Sequence, residues 1–225
     1  MKYLQKLGKA MMLPVSCMPI CGLLMGIGYF LCPAAMQGGE ITGAAASLGY
    51  FLIRAGGALI DHIAWLFAIG VGIGMSEDND GTGALAALVS WLMMITLLST
   101  DTVTTLIPSA AQESSRLLAF SKIDNPFIGI LAGIIGSECY NRFHKTRLPD
   151  WLSFFSGKRA VSIVAGMISI VVSFILLFLW PLMFSGLTAL GQGIAHLGAA
   201  GAGIYAFLNR LLIPFGLHHA LNNVF

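Results

Sequence analysis

Charge is scarce in this chain. Asp, Glu, Lys and Arg make up 10% of the 225 residues, against 57% hydrophobic residues and a mean hydropathy of +0.84. A soluble domain carries about 25% charged residues, so this balance excludes one and the chain reads as an integral membrane protein. Alternating strands are missing too. Runs such as VSIVAGMISIVVSFILLFLWPLMF are continuously apolar, whereas a membrane β-barrel needs short strands that alternate. The expected fold class is all-α, a polytopic transmembrane helical bundle.

Other absences narrow the chemistry. There is no HExxH, no GxSxG and no pairing of a nucleophile with a base, so an intramembrane enzyme fits worst and no catalytic residue is assigned. The four cysteines form no CxxC pair. Cys17 and Cys21 share one face of the first span, Cys32 lies near its end and Cys139 lies in the fourth span, so they read as buried thiols with no metal site and no cofactor. A net charge of +2 gives no reason to expect nucleic acid as a partner.

What the sequence does have is long apolar stretches. Six can cross a hydrocarbon core of about 30 Å as helices: 11–32, 51–75, 83–100, 126–141, 160–183 and 198–220. Basic residues gather in the N-terminus (Lys2, Lys6, Lys9) and in the loop after the fourth span (Arg142, Lys145, Arg147, Lys158, Arg159), and are sparse in the alternate loops. By the positive-inside rule the N-terminus is expected in the cytoplasm. The first apolar run is too long for a cleavable signal and lacks a small-residue cleavage site.

Small and polar residues add local expectations. Gly22 with Gly26, Gly129 with Gly133, and Gly70, Gly72 and Gly74 permit close helix packing within one bundle or between protomers. SEDNDGTGALAAL (76–88) lacks the glutamate at the twelfth position of a calcium loop, so it reads as an acidic turn in which Asp80 or Thr82 caps the third span. In NRFHKTRLPDWLSFFSGKR (141–159), Pro149 suits a first helical turn, Trp151, Phe154 and Phe155 share a face, and Gly157 suits a stop. The pattern predicts a short amphipathic helix in the membrane interface, ending at Lys158 and Arg159 in water.

Ionisable groups inside a span are costly, so each marks a partner, a watery cavity or a function. Asp61 and Glu138 lie near span ends, where water can reach them. Arg210 and the pair His218 and His219 flank LLIPFG, where Pro214 removes a backbone donor and Gly216 relaxes the helix. A break at membrane depth leaves backbone groups for a ligand or a cavity to satisfy, the usual setting of a transporter site. Adjacent helical residues point about 100° apart, so one histidine is expected to face such a cavity while the other packs or caps. A channel would need more ionisable groups along one pore than the spans offer, and a membrane scaffold would need none.

QKLGKAMMLPVSCMPICGLLMGIG, WLFAIGVG, EDNDGTGALAALVSW, NRFHKTRLPDWLSFFSGKR and NRLLIPFGLHHALN, in that order, resemble the membrane permease subunit EIIC of the bacterial sugar phosphotransferase system, in its glucose, N-acetylglucosamine and maltose branch. The resemblance implies a homodimeric permease of the inner membrane. It would carry a sugar inward, by moving a transport domain against a scaffold, and release it as the 6-phosphate. The phosphoryl group would come from EIIB, itself supplied by EIIA and HPr. Residues 1–183 would be scaffold and dimerisation helices, and 184–225 the start of the transport domain. Arg210, His218 and His219 would lie at the sugar, and Lys158 and Arg159 would meet EIIB or the transferred charge. The EDND and LHHALNNVF segments look closest to N-acetylglucosamine permeases, with glucose and maltose permeases next. The family's further helices, re-entrant hairpins and Thr-Glu-Pro motif are absent from these residues, so the chain is expected to be an N-terminal portion that does not transport by itself.

Overall fold

The computed structural model describes residues 2–108, 113–195 and 198–212. Their regular structure is helical, in the order α1 (Lys2–Val15), α2 (Met18–Leu31), α3 (Ala34–Gln37), α4 (Ala44–Asp61), α5 (Ile63–Gly74), α6 (Gly81–Leu97), α7 (Thr100–Leu106), α8 (Ser114–Ser121), α9 (Pro126–Phe143), a 3₁₀ turn (Asp150–Phe155), α10 (Lys158–Ala195) and α11 (Gly198–Leu212). The all-α expectation holds. Two stretches are long and apolar enough to cross a membrane unaided, Tyr3–Leu31 and Lys158–Ile194.

Three further pairs of helices are long and apolar enough to cross only when taken together across a bend. α4 and α5 meet at 50°, α6 and α7 at 56°, and α8 and α9 at 60°. Each bend falls at a polar residue: at His62 the backbone carbonyl, and at Ser99 and Asn125 the side chain, accepts from the helix that follows. His62 closes α4 and opens α5, its carbonyl accepting from Trp65 N at 3.1 Å. Ser99 caps α7, accepting from Thr102 N. Asn125, 6% exposed, accepts from Ile128 N and donates to the carbonyls of Lys122 and Ile123, so the break before Pro126 leaves this buried side chain satisfied. The second span thus runs from residue 44, earlier than expected, with its bend at the Asp61/His62 pair. The fifth continues past Pro181 to Ala195, and the sixth is described only to Leu212.

α9 is the central helix, packed on α5, α6 and α10. A Cβ on Gly129 would run into the Ala64 backbone, one on Gly133 into Val71, and one on Gly136 into Ala87, so three glycines on one side of α9 seat it against α5 and α6. Around this seam lie the fully buried Trp91, Met94, Phe120, Ile128 and Tyr140. Trp180 locks α10 to the outer helices by donating from Nε1 to the Ala119 carbonyl at 2.7 Å. α1 leans on α5 through Ala10, Phe67, Val71 and Met75.

α2 and α4 pair tightly with each other, Gly28 against Gly49 and Gly56 against Met25 and the Cys21 carbonyl. At Gly22 and Gly26 an added Cβ meets nothing within 4 Å among the described residues, so of the two expected settings, packing within one bundle is not seen there. That contrast yields a paired test. Gly136→Leu should lower stability by about 1–3 kcal/mol through overpacking, whereas Gly22→Ala, in open space inside α2, should be neutral or stabilising by up to about 1 kcal/mol. Thermal unfolding of the detergent-solubilised protein reads both.

Candidate functional site

One cluster of interacting polar residues forms where the N-terminal helix, the 75–80 turn and the 140–159 segment converge. The turn lacks regular hydrogen bonding of its own. Asn79 takes a left-handed φ of 49°, which Asn tolerates better than most residues. Neighbouring elements supply the missing partners. Lys6 donates from Nζ to the carbonyls of Met75 and Ser76, at 2.8 and 3.3 Å. Asn141 of α9 donates to the Met75 carbonyl and accepts from Glu77 N at 2.9 Å. Tyr140, on the same turn of α9, donates its hydroxyl to Asp78 at 3.2 Å. The carbonyls of Met75 and Ser76, just past the C-terminus of α5, are thus held by a cation from α1 and, at Met75, an amide from α9, the charge and donor type that a helix C-terminus favours.

Asp80 links this turn to the fifth span. Its Oδ1 accepts from Thr82 N at 2.8 Å, capping α6 as expected, and its Oδ2 pairs with Lys158 Nζ at 2.5 Å. The Lys158 hydrogen bond, then those from Thr82, hold the Asp80 carboxyl well below the usual carboxylate range. The cap was legible in the sequence, but the ion pair was not, because its two residues lie 78 positions apart. Topological parity offered the one available clue, since both segments were expected on the same side of the membrane.

The 141–159 segment folds much as its pattern suggests. Pro149 precedes the helical turn where first-turn placement was expected, and the turn is 3₁₀. Gly157 ends it with a φ of 68° and donates its N–H to the Thr146 carbonyl. Trp151 is 81% exposed and Phe154 67% exposed, an aromatic face without a protein partner among the described residues beyond the Phe154 contacts with Phe155 and Arg159. This is the surface expected of an interfacial segment.

The residues assigned a function from sequence are placed unequally. Lys158 opens α10 and is engaged by Asp80. Arg159 beside it donates from Nη1 to the Phe154 carbonyl at 2.9 Å and lies over the Phe154 ring at 4.6 Å, its side chain otherwise exposed. Arg210 lies in the last turn of α11, also exposed. His218 and His219 lie outside the described residues. The described structure therefore brings Lys158 and Arg159 together with the polar end, and places Arg210 on a separate helix that packs on α10.

The depressed Asp80 value fixes the sign of a pH effect. A carboxylate whose folded pKa lies below its unfolded pKa of about 3.9 stabilises the fold at all higher pH, and that contribution is lost as the pH falls below about 3.9 toward the folded value. Asp80→Asn should therefore unfold at a lower temperature than the parent at pH 7, and the gap should narrow as the pH drops below about 4. In a double-mutant cycle, Asp80→Ala and Lys158→Ala should cost less together than the sum of their single effects.

Comparison with known proteins adds identity to this geometry. The sequence model of the family described as "Phosphotransferase system, EIIC" matches residues 8–225. The chain is 37% identical over 228 residues to the PTS system N-acetylglucosamine-specific EIICB component of Bacillus subtilis, covering 100% of this chain and 43% of that protein. It is 36% identical over 222 residues to the N-acetylglucosamine-specific EIICBA component of Escherichia coli, covering 99% of this chain and 30% of that one. It is also 36% identical over 239 residues to the glucose-specific EIICBA component of Staphylococcus saprophyticus, covering 99% of this chain and 34% of that one. The chain thus spans less than half the length of these curated relatives. A match that runs from residue 8 to residue 225, over the membrane helices and the polar end alike, means that the chain belongs to the EIIC family of the phosphotransferase system.

Proposed function

We propose that this chain is part of a sugar permease that takes N-acetylglucosamine through the bacterial inner membrane and delivers it to phosphorylation by an EIIB domain. The observation that carries the reading is the similarity over 99–100% of the chain to relatives named as N-acetylglucosamine-specific components that include EIIC and B parts. The glucose-specific relative at 36% identity makes glucose the competing substrate to test.

The division of labour follows the packing. The buried core draws its members from α5 to α9 and from α10 as far as Phe184, which supports a scaffold that ends close to residue 183. Residues 184–225 then begin the moving part, with Arg210 on α11 and the His218/His219 pair beyond it supplying hydrogen bonds to sugar hydroxyls. Basic residues at the end shared by Lys6, Lys158 and Arg159 support a cytoplasmic N-terminus. EIIB, charged through EIIA and HPr, docks at that end. Arg159 is the better placed of the two cations for a phosphorylated partner: Lys158 would first have to leave Asp80, whereas the Arg159 guanidinium is exposed and has donors to spare. The homodimer implied by the family is part of this proposal.

Isothermal titration of N-acetylglucosamine and glucose into the full-length protein tests the reading. N-acetylglucosamine should bind more tightly. His218→Ala should weaken it about tenfold or more, the cost of one lost hydrogen bond in a closed site, and His219→Ala should do less. Tighter glucose binding would reassign the substrate, and binding unchanged in both variants would remove the histidines from the site.

A further inference from the structure

A cavity of about 260 Å³ lies in the seam between α9 and α10. Its walls are Ile134, Ile135, Phe143 and Ile168, and its polar lining comes from Glu138 and Arg142. Depth along the helices is informative. Ile134 lies nine residues before Phe143, and Ile168 ten residues after Lys158. At 1.5 Å per residue the groove therefore reaches about 14–15 Å inward from the charged ends of its two helices. One leaflet of a bilayer is about 15 Å deep, so the apolar floor ends near the midplane and the arginine sits at headgroup level.

The charges are arranged for an anion. Glu138 forms an i,i+4 ion pair with Arg142, Oε2 to Nε at 3.6 Å. The Arg142 side chain is 75% exposed and makes no hydrogen bond among the described residues, which leaves its terminal nitrogens for a phosphate. Lys145 and Arg147 follow on the same loop and are exposed, adding to the attraction for negative lipid. Beyond the groove, the α10 face continues as exposed Ile163, Met167 and Val171, the surface expected to meet acyl chains.

We propose that this groove binds an anionic phospholipid, one acyl chain lying between α9 and α10 and the phosphate resting on Arg142. The ligand class follows from the joining of an apolar slot one leaflet deep to an exposed guanidinium at its mouth, paired with Glu138 through Nε and with no hydrogen bond from its terminal nitrogens among the described residues. No sugar fits that description, so the site is independent of the permease reading.

Native mass spectrometry of the full-length protein, released from nanodiscs of equal phosphatidylglycerol and phosphatidylethanolamine, tests it. Phosphatidylglycerol should be retained in preference, and Arg142→Gln should reduce that retention about fivefold, the worth of one interfacial cation. Ile168→Trp, which fills the slot, should reduce it without changing the charge. Phosphatidylglycerol carrying a photoreactive acyl chain supplies a readout on the unmutated protein and should label the peptides around Ile135 and Ile168. Equal retention of the two lipids, retention unaffected by Arg142→Gln, or labelling confined to other helices would each overturn the proposal. So would a lipid-free dimer in which a second copy covers the groove.

Discussion

Close approach of α9 to α5 and α6 is the constraint on which the rest of the structure depends. Lipid is as apolar as leucine, so helices in a membrane gain little from hiding apolar side chains and must instead be held by contact. Gly129, Gly133 and Gly136 allow that contact by removing the atoms that would strike Ala64, Val71 and Ala87. Once α9 is seated there, its last turn carries Tyr140 and Asn141 up to the 75–80 turn. The polar end is therefore a consequence of the packing inside the membrane.

The polar end in turn fixes what the apolar seam cannot. Helices that touch through small residues can slide, but a carbonyl held by Lys6 or a cap shared with Lys158 has one register. Three chain segments far apart in sequence are pinned around the same turn, each by a directional bond. The bends serve the opposite purpose. At His62, Ser99 and Asn125 the backbone leaves the helix and the local side chain or carbonyl takes over its hydrogen bonds, so spans change direction without leaving buried polar groups unpaired.

The two proposed ligands would meet different parts of this frame. A sugar would be held by residues at and beyond α11, which packs on the far part of α10 outside the main core. A phospholipid would fill the α9–α10 seam close to the polar end, where Glu138 and Arg142 lie one helical turn below and beside Tyr140 and Asn141. Both depend on α10, whose 38 residues run from the Asp80 ion pair past Pro181 to the start of α11.

Sequence by itself determined the class of the protein. Composition and continuous apolar runs settled an all-helical membrane fold, because the bilayer offers the backbone few alternatives. The Asp80 cap, the exposed aromatic turn at Trp151 and Phe154, and the family were legible for the same kind of reason: each is encoded by residues adjacent in the chain. Tertiary structure alone decided the bends, since apolar runs such as 44–74 carry one hydropathy signal whether straight or kinked at His62. It also decided which glycines matter. Gly22 with Gly26 and Gly129 with Gly133 have identical spacing, yet among the described residues only the second pair meets another backbone. The Asp80–Lys158 pair, for which the sequence offered only a shared side of the membrane, the grip of Lys6 on the end of α5 and the α9–α10 groove were likewise decided by the tertiary structure, because a long-range contact is fixed by how helices rotate about their axes and no local pattern records that angle.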